Sequence, residues 1–181
     1  MAAAAQSWGP LRRWTRHLLG TRARAERSFP PSTLNALTEA IAAGERTHCG
    51  QVRLIIEKAL PWHELRAGIR GRQRALALFA DHGIWDTEEN CGVLVYVNLA
   101  DHTVDIVADR GIARKVDGAA WQAICDGITA GFARGDHRGA TLAALDQVNA
   151  LLRRHFPIDR ALDGMNGGAR PNELPDPPLM L

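Results

Sequence analysis

Several features that would assign a function at sight are missing from this chain. Its 181 residues contain no GxSxG elbow, no P-loop, no HExxH pair and no cysteine-based phosphatase loop, so no catalytic nucleophile can be named from a motif. Cysteine is scarce: Cys49, Cys91 and Cys125 form no CxxC pair and leave an odd thiol, which argues against a disulfide framework or a zinc site of the usual spacing and points to a reducing compartment. No apolar run approaches the roughly 18 residues needed to span a bilayer, and the alanines after Met1 are too few for a signal-peptide core. A cytoplasmic protein of one globular unit is expected, since this length buries a core without staples.

The charge is unevenly placed. The formal net charge is +2, yet residues 1–27 hold six arginines against one glutamate, which leaves 16 basic and 19 acidic residues for the rest, so the leader carries +5 and the body −3. A nucleic-acid-binding domain should carry its basic footprint on the folded body, so nucleic acid is not an expected partner and the leader reads as a basic arm. Within it Trp8, Leu11, Trp14, Leu18 and Leu19 recur at roughly helical spacing with Arg12, Arg13 and Arg16 between them. Such a stripe suits an interfacial helix on anionic lipid, peripheral at the inner membrane, or a helix packed on the protein's own body or a dimer mate, which is the commoner fate of apolar stripes.

Periodicity divides the remainder into an arm (1–28), a body (29–158) and a flexible linker with a C-terminal tail (159–181). After Phe29-Pro30-Pro31, Ser32 reads as the cap of a helix carrying Leu34, Leu37 and Ile41 up to about Arg46. Gln51 to Lys58 alternates as a half-buried strand, and Pro61 opens one long helix to about His82, weakened in its middle by Gly68 and Gly71 and stopped by Gly83. Val93 to Val97 has no polar alternation and reads as a strand buried on both faces. A strand, a helix and a second strand make a βαβ unit with parallel strands. A turn at Asn98 to His102, a third strand at Thr103 to Ala108, a helix capped by Asp117 and a last helix from about Arg138 to His155 complete the body. Helices before, between and after the strands imply a three-layer α/β/α sandwich with a small mixed sheet of 3 to 4 strands. The apolar Leu179-Met180-Leu181 either returns to cover a groove or sheet edge or frays.

Strands joined by a short turn run antiparallel, so the acidic loop before Val93 and Asp109 after the third strand should meet at one sheet end. Asp86, Glu88, Glu89 and Asp109 are therefore the expected ligands of a divalent cation, calcium or magnesium, with Gln51, Asn90 and Arg110 beside them. The bland alternative leaves Glu88 and Glu89 in solvent and Asp109 engaged with Arg110, Arg114 or the following backbone. Cys49 and Cys91, with His48 nearby, suggest a softer metal site or redox pair, although buried cysteines more often behave as small hydrophobes.

The tract WDTEENCGVLVYVNLADHTVDIVADRGI, followed by a helical Trp, a Phe-Ala-Arg-Gly segment, RRHFP and NELP, resembles the TPM domain family over about residues 30–176. That family includes thylakoid-lumen proteins linked to photosystem repair and bacterial proteins often encoded beside LemA-type membrane proteins. The chain is most similar to the bacterial branch without signal peptide or membrane anchor. The resemblance implies an α/β/α fold, divalent cation binding in some members and a weak acid phosphatase activity in others. Two positions depart from the family pattern: Gln51 stands where a glutamate is common at the head of strand one, and Cys91 interrupts the usual Asn-Gly-Val-Leu.

Two functions follow as expectations. The first is a non-enzymatic accessory or scaffold domain that binds a divalent cation and a protein partner, with a LemA-type membrane protein as the implied partner. The second is a weak metal-dependent acid phosphatase acting on phosphate monoesters through metal-bound water, with Asp109 as ligand and Arg110 offsetting phosphate charge.

Overall fold

The computed structural model describes residues 10–18, 22–158 and 172–181. Two short helices, α1 (Pro10–Leu18) and α2 (Arg22–Ser28), lead into α3 (Pro31–Glu45) and the first strand, β1 (Gln51–Glu57). Helices α4 (Trp62–Arg66) and α5 (Gly71–Asp81) connect it to β2 (Gly92–Asn98), which turns directly into β3 (Thr103–Ala108). A single helical turn, α6 (Arg110–Ala113), then α7 (Gly118–Ala133) and α8 (His137–His155), follow before β4 (Leu179–Met180).

The sheet has the order β3-β2-β1-β4, with β1 parallel to both β2 and β4, and β2 antiparallel to β3. It is the small mixed sheet of an α/β/α sandwich. On one face Val52, Leu54, Ile56, Val93, Val95 and Val97 pack against Leu37 and Ile41 of α3, Ile124 and Ile128 of α7, and Leu145, Val148 and Leu152 of α8. The other face is thinner: Ile55, Leu94, Tyr96 and Val107 meet Ala75 and Leu78 of α5, Ile84 and Leu174. Each aliphatic side chain buried this way contributes about 1.5–3 kcal/mol.

Four sequence expectations change in detail. Helix α3 begins at Pro31 with Pro30 as N-cap and no side-chain cap bond, so Ser32 is not the cap; proline, with its fixed φ and missing N–H, suits the first helical position. Strand β1 is buried along its whole length rather than half-buried. Helices cover both of its faces, and its polar residues are hydrogen-bonded by specific partners. The single helix expected from Pro61 to His82 is two, because Gly68 adopts φ +74, which breaks the helical path between α4 and α5. Finally, residues 172–181 of the tail return as an ordered edge: β4 pairs with Ile55 and Ile56, and the Arg53 guanidinium donates to the carbonyls of Pro175 and Pro177 at 2.6 and 2.8 Å. The expected linker at 159–171 lies outside the described residues.

Helix α1 packs on the body. Trp14 meets Trp62 edge-on with ring centroids 4.8 Å apart, and Arg13 and His17 both bind Asp101, at 2.8 and 3.0 Å. His17 Nδ1 also accepts from the Leu60 amide at 3.0 Å. Leu18 stays 68% exposed, and Trp8 and Leu19 of the expected stripe lie outside the described residues. Among the described residues no helix is long and apolar enough to cross a membrane.

Candidate functional site

Register decides what meets at the amino end of the parallel strands. Gln51 pairs with Gly92 and Val93 with Ala108, so the start of β1, the loop before β2 and the residues after β3 share one end of the sheet. The Asp109 amide extends this by donating to the Gly92 carbonyl at 2.9 Å. Gly111 then presses on the acidic loop: a Cβ there would sit 2.5 Å from the Asn90 carbonyl oxygen and 3.2 Å from that of Glu89. Only glycine permits this approach, which explains the Asp-Arg-Gly order.

The backbone thus brings the expected segments together, while their side chains divide. Asp109 is buried at 6% exposure and caps α6, its Oδ1 accepting from the Arg110 amide at 2.6 Å. Its Oδ2 is buried without a donor among the described residues. Asp86, Glu88, Glu89 and Asn90 are exposed, as is Arg110. Asn90 adopts φ +53, a left-handed conformation that asparagine tolerates better than most residues. Among the described residues no three His, Cys, Asp or Glu side chains stand close enough to hold a metal ion. The four expected carboxylates therefore form no preassembled cage.

Gln51 has a different partner. Its Oε1 accepts from the amides of Glu173 and Leu174 at 3.1 and 3.2 Å, and the Glu173 carboxylate accepts from the Glu88 amide at 2.9 Å. The tail therefore clasps both β1 and the acidic loop. Glu45 lies at the same end, accepting from the Val52 amide at 2.7 Å, and burial together with nearby Asp176 pushes its carboxyl up to about 8.

The thiols and His48 are engaged structurally. Cys91 donates to the Glu89 carbonyl at 3.2 Å and Cys49 to that of Pro157 at 3.5 Å. Buried His48 lies between the Gly50 carbonyl and Asn149 of α8, each at 3.1 Å, and burial pushes its pKa down. The oxygens at this corner are Asp109 Oδ2, without a donor among the described residues, and the Glu89 and Asn90 carbonyls that approach Gly111 two residues on. That set fits a hard cation completed by water better than a thiophilic metal.

Sequence reasoning missed a second polar cluster at the carboxyl end of β1 and β2. Glu57, 1% exposed, accepts from Arg74 Nη2 at 2.8 Å and Nε at 3.2 Å, and from the Tyr96 hydroxyl at 2.5 Å. Asn98 Nδ2 donates to the same hydroxyl at 2.9 Å, and Asn98 Oδ1 accepts from the Asp101 amide. Burial and the Glu57 carboxylate push the Tyr96 phenol up. The available signal was the one tyrosine set within an otherwise apolar strand, opposite a strand ending in glutamate.

Comparison with known proteins agrees with this architecture. A family model described as the TPM domain matches residues 25–151. The NMR structure of the BA42 protein from the psychrophilic bacterium Bizionia argentinensis is similar with a TM-score of 0.69 and 23% identity, over 83% of this chain and 93% of that one. No curated protein matches the chain.

Proposed function

We propose, from the premise that this chain belongs to the TPM domain family, that it is a non-enzymatic accessory domain binding a divalent cation at the Asp109 corner. One observation carries the reading: a buried carboxylate oxygen, Asp109 Oδ2, without a donor, beside a loop whose carbonyls converge on Gly111. Leaving a buried acceptor unsatisfied costs about 1–3 kcal/mol, and more when it is charged, so a native protein keeps one where something else completes it. Asp109 Oδ2 and the carbonyls of Glu89 and Asn90 would hold the ion, with water filling the remaining positions, and the exposed Glu88 and Glu89 carboxylates would lend it charge. Calcium, which accepts irregular oxygen shells, suits these donors better than magnesium, which demands near-octahedral geometry.

A bound cation would fix the acidic loop against α6 and complete a surface for a protein partner, the LemA-type membrane protein being the one the resemblance implies. Thermal melting tests the cation. At calcium a hundredfold above its Kd, stabilisation should be about 2.7 kcal/mol, reversed by chelator and absent in Asp109→Asn. A melting curve unmoved by calcium, magnesium and chelator alike would remove the reading. If metal-loaded protein instead hydrolysed a phosphate monoester, with loss on Asp109→Ala, the phosphatase alternative would replace it.

A further inference from the structure

A basic cleft opens beyond the carboxyl ends of β1 and β2, at the opposite end of the sheet from Asp109. Five separate segments deliver its polar lining: Arg16 from α1, Arg24 and Ser28 from α2, Lys58 directly after β1, His102 in the β2–β3 turn and His137 at the start of α8. Five of these six side chains are cationic or become so on protonation. None of the described residues lining the cleft is acidic. Asp101, one residue before His102, is engaged by Arg13 and His17. The cavity is about 40 Å³, room for roughly three waters or one tetrahedral oxyanion at the 10–15 Å³ a water centre needs.

Placement and geometry both favour a ligand here. Open α/β sheets hold ligands outside the carboxyl ends of their parallel strands. His102 is held at φ +54, a left-handed conformation uncommon for a residue with a side chain, which aims the turn at the cleft. His137 is set against the rings of Phe29 and Phe132, with centroids 5.8 and 4.8 Å away. Converging cations repel one another, and Arg16 and Arg24, after burial, push the His102 pKa down. An arriving anion reverses that repulsion, and the focused positive field steers it inward.

We infer that this cleft binds a phosphate group, through Arg16, Arg24, Lys58, His102 and His137, either as a soluble phosphate or as the headgroup of an anionic lipid. The inference is independent of the cation reading, since it uses the other end of the sheet and different residues. Charge-assisted bonds from guanidinium and ammonium groups select phosphate over chloride because its several oxygens engage several donors at once.

The test is a two-dimensional amide NMR titration of the full chain with inorganic phosphate at constant ionic strength, alongside flotation with neutral vesicles and with vesicles containing phosphatidic acid. Saturable shifts confined to Arg24, Lys58, His102 and their neighbours are expected. Each of Lys58→Gln and His102→Asn should weaken binding roughly fivefold, the loss of one ammonium or one imidazole contact. Asparagine keeps the left-handed backbone available at 102, so that variant removes the imidazole without forcing the turn. Arg114→Gln, a charge-matched control at the other end of the sheet, should change nothing. Phosphate binding without vesicle capture assigns the site to a soluble ligand, whereas capture lost in Lys58→Gln but kept in Arg114→Gln assigns it to a headgroup. Shifts no larger with phosphate than with chloride, together with no vesicle capture sensitive to Lys58→Gln, would overturn the inference.

Discussion

Two buried carboxylates stand at opposite ends of the same sheet, and their surroundings are opposite too. Glu57 is enclosed by a forked guanidinium and a phenol, so both of its oxygens are satisfied by fixed groups. Asp109 satisfies one oxygen with a helix-capping amide and leaves the other without a donor. The difference separates a carboxylate closed by fixed groups from the one on which the proposed cation site rests. It also extends to pH. Near Glu57, although burial alone would raise it, hydrogen bonds from His17 and Arg13 hold the Asp101 carboxyl well below the usual carboxylate range. Its contribution is present above about pH 4 and is lost as the medium is acidified. Near Asp109, Glu45 is shifted upward, so its contribution has the opposite sign.

Breaking the satisfied pair should have the largest effect. Arg74→Ala leaves the Glu57 charge buried without its counter-ion, and Arg74 also bridges to Glu64 at 3.2 Å. A loss of about 3–5 kcal/mol is expected from urea denaturation at neutral pH, the range found when one partner of a buried ion pair is removed. A loss below about 1 kcal/mol would mean that water reaches Glu57 and that its enclosure is not structural.

Asp109→Asn is the counterpart at the other end. Asparagine retains a capping oxygen for the Arg110 amide and removes a buried charge that lacks a donor. Without metal, stability should stay within about 1 kcal/mol of the parent, in contrast to Arg74→Ala. Calcium should then no longer raise the melting temperature, where the parent gains several degrees, at about 2–4 °C per kcal/mol for a chain of this size.

Between these effects lies Glu45→Gln. A carboxyl raised to about 8 when folded, from 4.5 otherwise, favours the protonated fold, so its stabilisation is complete below about pH 4.5 and lost as pH rises through 8. For this half-buried group, solvent screening limits the swing to about 1–2 kcal/mol. Glutamine still accepts from the Val52 amide, so the variant should show a flat stability profile from pH 5 to about 8.5 where the parent declines. Equal slopes for parent and variant would assign the decline to another group.

The architecture was largely legible in the sequence because periodicity reports burial. The uninterrupted Val93–Val97 run, the Asp117 cap and the αβ alternation each correspond to what is observed. What escaped was set by long-range partners. Arg53 and Glu57 look solvent-facing in β1 until the tail carbonyls and Arg74 are in place, from 122 and 17 residues away. The acidic loop showed the opposite limit: hairpin logic correctly brings its backbone to Asp109, but cannot say that Asp86, Glu88 and Glu89 stay exposed. Side-chain direction in an irregular loop has no period to read.

Gln51→Glu should give the smallest effect, because it only adds back, beside the Asp109 corner, the carboxylate that the family resemblance implies. Both amides of the tail, at Glu173 and Leu174, find the same acceptor oxygen in glutamate, so β4 should remain in place. Gln51 and Asp109 flank Gly92 in one row across the sheet, two strand spacings or roughly 9–10 Å apart. Over that distance, in a partly solvated corner, an added charge should tighten calcium by only about two- to fourfold, measured by calorimetry at low salt. A tenfold gain would instead require the new carboxylate to reach the ion directly, moving the cation off Asp109 and toward β1. The tail would then have to release position 51 to make room, and loss of the amide hydrogen-exchange protection at Glu173 and Leu174 would report it.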